Sequence, residues 1–413
     1  MHSSRSESRG FTVASVASER ALIVGVIGAG AMGRGIAQVA AAAGHHVVLG
    51  DAQAGAVERA LETIRTTLER DVAKGKLAPA AADDTLARIS DGDDVAGGLR
   101  AYAPCDVVIE AVVEELTAKR ALFAALEQLV PRECVLASNT SSLSIAALGG
   151  AVAHPERVIG MHFFNPAPLM PLVEIVPAIT TSPEVVRRTR TLADSWGKTT
   201  VIASDTPGFI VNRIARPFYG EALRILEEGI ADVATIDWAM REIGGFRMGP
   251  FELMDFIGND VNFAVTSSVF EATFFDPRYR PALSQRRLVE AGLLGRKRER
   301  GYYDYRAGAE APSPTQDREL GATVVDRILT MLVNEAVDAV HLRIASPADV
   351  ELAMTKGVNY PRGLLAWGDQ IGAPEILRRL EWLQAEYGED RYRPSPLLRR
   401  VVRDGRSLLS FTA

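Results

Sequence analysis

Residues 160–176 contain the two groups whose types and spacing best suit proton transfer, His162 and Glu174. Each lies in a short apolar and aromatic run, 161–164 and 172–176. Asn165-Pro166, Pro168 and Pro171 break the stretch between them, a pattern that predicts strand, bend and strand. If the pairing is centred on Pro168, both residues lie six positions from the centre, directly opposed and on one face. The carboxylate would then hold one imidazole nitrogen in its N–H form and stabilise the imidazolium, leaving the other nitrogen to take a proton near neutral pH. That is half of a general-base site. The same residues also fit a hydrogen-bonded core histidine and a strand-end surface charge, and this segment alone does not separate the two.

The other half must come from elsewhere in the chain. Residues 21–27 form the continuous apolar run expected of a fully buried parallel strand. They lead into Gly28-Ala29-Gly30-Ala31-Met32-Gly33, a helix to about residue 43, a second strand at 46–49 and then Asp51. In this setting Gly28 permits the tight turn, Gly30 lets backbone N–H groups approach a pyrophosphate, and Gly33 lets helix and strand pack closely. The phosphates would sit at the helix start, over Ala31 and Met32. Asp51 would accept hydrogen bonds from an adenosine ribose and repel a 2′-phosphate, so the expected cofactor is NAD rather than NADP. The other reading is a Gly-rich turn with no ligand. Ser138-Asn139-Thr140-Ser141-Ser142 follows the end of a further buried-strand candidate, 134–137, which places Asn139 and its neighbours along the cofactor crevice. Lys74 and Lys76 end a helical stretch and read either as a solvated helix end or as an attraction for an anionic substrate.

The elements that must position these groups alternate strand and helix up to about residue 204, which predicts an α/β Rossmann-type doubly wound sheet. From Asp205-Thr206-Pro207-Gly208 onward the pattern is helical. Sliding the chain against itself shows why: Glu221-Ala222, Ala239-Met240, Gly249, Asp255 and Ile257-Gly258 recur as Glu335-Ala336, Ala353-Met354, Gly363, Asp369 and Ile371-Gly372, each displaced by 114. The expected division is therefore a tail at 1–20, an NAD-binding domain at 21–204, and a helical domain at 205–308. A linker at 309–320 and a second, degenerate helical copy at 321–413 follow. Asn212 in the first copy is matched by Asp326 in the second, a carboxylate that can only accept, so one copy is expected to be active and the other structural.

With 413 residues, two or three domains are expected. A net charge of -6 without a long basic stripe argues against a nucleic-acid partner. Two cysteines, Cys105 and Cys134, are too few for a disulfide framework and point to a reducing compartment, the cytoplasm. The histidines include no pair at helical zinc-site spacing, so no metal is expected. No apolar run approaches the ~18–20 residues of a membrane span, so no membrane partner is expected. The Ser- and Arg-rich tail reads as an untidy terminus or as a weak transit peptide.

With these residues in hand, the chain resembles the L-3-hydroxyacyl-CoA dehydrogenases over almost all of its length. The resemblance rests on Gly28-x-Gly30-x-x-Gly33, Ser138-Asn-Thr-Ser-Ser142, His162-Phe-Phe-Asn-Pro166, Leu172-Val-Glu174, Pro207-Gly-Phe-Ile-Val-Asn-Arg213, Gly249-Pro-Phe-Glu-Leu253 and Gly301-Tyr-Tyr-Asp-Tyr305, in that order. It implies an L-3-hydroxyacyl-CoA substrate such as 3-hydroxybutyryl-CoA, NAD as hydride acceptor, a 3-ketoacyl-CoA product, and a place in fatty-acid β-oxidation or butanoate metabolism. It puts the catalytic pair on His162 and Glu174. It implies that Ser141 and Asn212 hydrogen-bond the reacting oxygen or the imidazole, that Asn165 holds the base and thioester region, and that Glu114 and Lys119 lie near the nicotinamide.

Shorter members of that family lack the second helical copy and dimerise through the first. The resemblance implies that the second copy replaces the partner within one chain, with a homodimer of the whole chain left open. Longer members include enzymes acting on 3-hydroxyadipyl-CoA, which leaves the acyl chain open as well. Two other readings remain at this point, a dehydrogenase of a free hydroxy acid or sugar acid, and an NAD-binding protein without catalysis.

Overall fold

The computed structural model describes residues 20–92 and 99–410, so of the tail expected at 1–20 only Arg20 falls within the described residues. The first half contains β1 (Ile23–Ile27), α1 (Ala31–Ala42), β2 (His46–Gly50), α2 (Ala56–Ala73), α3 (Pro79–Ala87), β3 (Ile89–Asp91), β4 (Val107–Glu110) and α4 (Leu116–Glu127). It continues with β5 (Val135–Ser138), α5 (Ile145–Gly149), β6 (Val158–Phe163), β7 (Leu172–Pro177), α6 (Pro183–Ser195) and β8 (Thr199–Ile202). These strands make one eight-stranded sheet in the order β3-β2-β1-β4-β5-β6-β7-β8. Every neighbouring pair is parallel except β6 and β7. The central strands are covered on both faces, which is why they read as unbroken apolar runs.

One face is packed by Ile36 and Val39 of α1, Ile64 and Leu68 of α2, and Val185 and Leu192 of α6. The other face takes Phe123 and Leu126 of α4 and Ile145 and Leu148 of α5, and its core runs on without a break into the helical half. Burying one such side chain contributes about 1.5–3 kcal/mol. Sheet and helices are therefore stabilised together rather than as two separate bodies.

The helical half comprises α7 (Val211–Ile214), α8 (Arg216–Glu227), α9 (Val233–Trp238), α10 (Pro250–Ile257), α11 (Asn259–Ala272), α12 (Leu283–Glu290), α13 (Arg318–His341), α14 (Pro347–Gly357), α15 (Leu364–Ile371), α16 (Ala373–Tyr387) and α17 (Pro396–Asp404). The displacement seen in the sequence recurs in the elements: α10 starts at Pro250 and α15 at Leu364, 364 − 250 = 114. The copies differ at the break between α7 and α8. Pro217 has no amide hydrogen to continue a helix and sits in the first turn of α8, so the first copy is split into α7 and α8. Met331 stands at the matching position, 217 + 114 = 331, and α13 runs through it. That helix begins at Arg318, inside the stretch 309–320 expected as linker, because the Asp317 carboxylate accepts from the Glu319 and Leu320 N–H groups and caps it.

The copies face each other through reciprocal buried charges. Arg213 Nε donates to Glu335 Oε1 at 2.8 Å, and its counterpart Arg327 donates through Nε to Glu221 Oε2 at 3.0 Å. Arg278 and Tyr279 also donate to Glu335, as Arg391 and Tyr392 do to Glu221. Residue i of one copy meets j of the other, and j meets i, the pattern of a two-fold subunit contact.

Candidate active site

The β6–β7 pair is antiparallel with His162 opposite Glu174, so both side chains project from one face at the point where the sheet meets the helices. They are 6% and 0% exposed. His162 Nδ1 lies 2.6 Å from Glu174 Oε2. The second carboxylate oxygen, Oε1, accepts from the N–H groups of Ile210 at 3.0 Å and Val211 at 2.9 Å. Those donors are aimed at Glu174 by a sharp turn in which both Gly208 (φ 77°) and Phe209 (φ 46°) are left-handed. Such a φ costs a phenylalanine about 1 kcal/mol or more. A carboxylate offers only acceptors, so Nδ1 is the nitrogen that carries the proton, and Nε2 keeps its lone pair. The rings of Phe164 and Phe209, with centroids 4.6 Å and 5.8 Å from the imidazole, shield it from water.

His162 opens onto a cavity of about 580 Å³ that Met32, Glu114, Lys119, Asn139, Ser141, Asn165 and Asn212 also line. The structure thus gathers eight of the residues singled out in the sequence around one space. Glu114 organises the serine-rich loop after β5: its Oε1 accepts from the Thr140 hydroxyl (2.6 Å), the Ser141 N–H (2.9 Å), and the Ser142 N–H (3.1 Å) and hydroxyl (2.9 Å). Its Oε2 pairs with Lys119 at 2.8 Å. Burial acts to raise the Glu114 pKa. The charge and hydrogen bond of Lys119, with those from Thr140 and Ser141, outweigh burial and hold the pKa at about 2.

A carboxylate held below its ordinary value of 4.5 adds stability that is present above that value and lost as pH falls toward about 2. Amide hydrogen exchange at Ser141 and Ser142 should therefore stay slow through pH 4.5 and quicken only near the lower limit. Exchange that quickens already at 4.5 would mean that Lys119 does not hold the carboxylate.

Asn139 lines the same cavity, but its side-chain oxygen accepts from the Phe163 N–H at 2.9 Å, so it also fastens the end of β6 beside the base. Asn165 follows β6 on the exposed bend. Asn212 is carried by α7, one residue past the N–H groups that hold Glu174.

The glycine turn lies at the other end of the crevice. A Cβ on Gly33 would stand 1.6 Å from the Gly28 carbonyl oxygen, and one on Gly28, whose φ is +104°, 2.5 Å from that of Ala111. Folding itself therefore requires both glycines. A Cβ on Gly30 would meet nothing within 4 Å. The space above Gly30 is left open at the start of α1, where no side chain caps the helix and no acidic residue occupies the first turn. This open, uncapped amide end suits a pyrophosphate. Gly30→Ala should accordingly leave the melting temperature almost unchanged while weakening NAD binding, readable by titration calorimetry; unaltered NAD affinity would remove Gly30 from the cradle.

Ala31 opens α1, and Met32 beside it reaches the cavity. Asp51 follows β2. Its Oδ2 accepts from Ala29 N–H at 2.7 Å and its Oδ1 from Gln53 N–H at 2.8 Å, which fixes the carboxylate beside the turn with lone pairs to spare for ribose hydroxyls. Lys74 is the exposed cap residue at the C-terminus of α2 and is not among the cavity's lining residues.

Sequence reasoning missed Glu110, which accepts from Lys119 Nζ at 2.8 Å and from the Ser138 hydroxyl at 2.6 Å. It also missed Arg216 and Tyr219, and the wall that Gly357, Val358 and Asn359 of the second copy contribute to the cavity. The available signals were a carboxylate ending an otherwise apolar strand, and an arginine four residues after Asn212.

The model of the 3-hydroxyacyl-CoA dehydrogenase NAD binding domain matches residues 23–206, and that of the 3-hydroxyacyl-CoA dehydrogenase C-terminal domain matches residues 208–305 and again 324–408. Among curated relatives, the 3-hydroxyadipyl-CoA dehydrogenase of Escherichia coli K12 is 41% identical across 91% of this chain and 96% of its own. A 3-hydroxybutyryl-CoA dehydrogenase of Bradyrhizobium diazoefficiens is 43% identical across 70% of this chain and 97% of its own. The crystal structure of a 3-hydroxybutyryl-CoA dehydrogenase from Escherichia coli K12 superposes with a TM-score of 0.88 at 39% identity, covering 94% of this chain and 100% of that one.

Proposed function

The chain belongs to the 3-hydroxyacyl-CoA dehydrogenase family and is an NAD-dependent oxidoreductase, and on that premise we propose that it oxidises L-3-hydroxyacyl-CoA thioesters with His162 as general base. The supporting observation is the 2.6 Å contact between His162 Nδ1 and a carboxylate whose other oxygen is occupied by two backbone N–H groups. Bound NAD supplies the acceptor for the hydride that leaves C3. The 3-hydroxyl gives its proton to His162 Nε2 as the C3–O bond becomes a carbonyl, and Glu174 stabilises the imidazolium that forms. Ser141 and Asn212 orient the reacting oxygen, Asn165 holds the thioester region, and Glu114 with Lys119 orders the loop beside the nicotinamide.

The acyl group is carried in the cavity between sheet and helices. The names of the relatives span four-carbon and dicarboxylic acyl groups, and both are assigned here as candidate substrates. The proposed division is a nucleotide domain at 21–204, a catalytic helical domain at 205–308 and a structural copy from about 321 onward. That copy takes the place of a second subunit, a reading supported by the reciprocal Arg213–Glu335 and Arg327–Glu221 pairs. Cytoplasmic residence fits the two buried, unpaired cysteines. Replacing His162 by Gln should lower turnover of 3-hydroxybutyryl-CoA by about 10²–10⁴-fold and leave NAD affinity nearly unchanged. Wild-type turnover in that variant, followed as NADH absorbance, would discard His162 as the base.

A further inference from the structure

Five arginines are buried among the described residues, Arg157, Arg213, Arg216, Arg327 and Arg391. Four of them pair with carboxylates: Arg157 with Glu127, Arg213 with Glu335, and Arg327 and Arg391 with Glu221. Arg216 is the exception. It is 7% exposed, its Nε donates to the Asn212 carbonyl at 2.7 Å and its Nη1 to the Thr266 hydroxyl at 3.0 Å, and it stacks on the Tyr219 ring at 5.0 Å. No carboxylate of the described residues reaches it, and Nη2 is left without a protein acceptor. A guanidinium without a counter-charge is costly to bury, because its hydration is lost and bonds to neutral groups return only part of that energy.

The copies show that the fold does not ask for this charge. Arg213 has its counterpart in Arg327, displaced by 114, and Arg278 in Arg391, displaced by 113 like Tyr279 and Tyr392, whereas the position matching Arg216 is Thr330, 216 + 114 = 330. Arg216 also lines the cavity that holds His162, at the start of α8 and four residues after Asn212 of α7. The acid in that lining, Glu114, is already paired with Lys119. Tyr219 brings a hydroxyl into the same part of the cavity, and it too has no hydrogen-bond acceptor among the described residues.

We propose that Arg216, with the Tyr219 hydroxyl, binds a carboxylate at the far end of the acyl chain and makes the site selective for 3-hydroxyacyl-CoA thioesters of dicarboxylic acids. The inference rests on the dehydrogenase reading above and adds a specificity-determining residue to it. The Arg216 guanidinium sits against the Asn212 backbone, its Nε 2.7 Å from the carbonyl oxygen. A substrate whose C3 oxygen is held at Asn212 would thus present a carboxylate three carbons farther along, as in a six-carbon chain, to the free Nη2. Such a pair would supply the missing counter-charge only when the dicarboxylic substrate is bound. An apolar chain of the same length would leave the guanidinium unpaired.

The experiment compares kcat/KM for 3-hydroxyadipyl-CoA and 3-hydroxyhexanoyl-CoA, equal in length and differing in the terminal carboxylate, in wild type, Arg216→Gln and Arg216→Lys. Wild type should favour the dicarboxylic substrate. Arg216→Gln should reduce that preference by about 30-fold or more, chiefly through KM, and Arg216→Lys should restore part of it. Equal losses on both substrates would overturn the proposal and leave Arg216 as a support for Asn212. Wild-type turnover of both without preference would overturn it while sparing the dehydrogenase reading; turnover of neither would overturn both. Should the variants fail to fold, inhibition of the wild type decides: adipyl-CoA must compete more tightly than hexanoyl-CoA, and equal inhibition refutes the proposal.

Discussion

Glu174→Gln should lower the oxidation rate about 10⁴-fold and leave both stability and NAD affinity close to wild type. The substitution is nearly isosteric, so the expected loss comes from which atom carries a proton. The Ile210 and Val211 N–H groups can only donate, and they require an oxygen at the position of Oε1. A glutamine that keeps those two bonds turns its amide NH₂ toward His162 Nδ1. That nitrogen must then accept, so the ring proton moves to Nε2, the atom that should take the substrate proton. A neutral amide also gives no support to an imidazolium. The same exchange in the Ser-His-Asp triad costs about 10⁴ in kcat. A loss below tenfold in steady-state NADH formation would show that Glu174 does not set the tautomer.

Glu335→Ala should destabilise the protein by about 3–5 kcal/mol in denaturant unfolding, the usual result of removing one partner of a buried ion pair. Glu335 is 2% exposed and accepts from Arg213, Arg278 and Tyr279. Without it Arg278 keeps Asp338 at 2.6 Å and Asp276 at 2.7 Å, whereas the carboxylate left to Arg213 is Asp338 at 3.8 Å. Glu221→Ala, the equivalent change in the first copy, should cost a comparable amount. Activity should fall as well, because Arg213 belongs to α7, which also carries Asn212 and the Val211 N–H that holds Glu174. Losses under about 1 kcal/mol in both variants would place the strength of the contact in its apolar packing.

Much of this arrangement was legible in the residues because it is encoded locally. Side chains alternate along a strand, and prolines can only sit in the bend, so the spacing of His162 and Glu174 about Pro168 sets their opposition. A strand, a glycine turn and a helix follow one another within 20 residues or so, and their order alone marks the start of α1 as an anion site. The helical duplication was visible as a constant displacement, since equal spacing of equal residues makes equal helices.

The parts that tertiary structure decided join segments distant in the chain. Nothing near Glu174 announces that residues 210 and 211 will donate to it, because the left-handed turn at Phe209 is a strain that only the surrounding packing can hold. Glu110, Glu114 and Lys119 become one network only once β4, α4 and the loop after β5 converge. Arg216 looks like any helical arginine until its neighbours are known. Residue type and periodicity specify which elements form and which way they face, but the charge a buried group lacks depends on what the rest of the chain brings within a few ångströms of it.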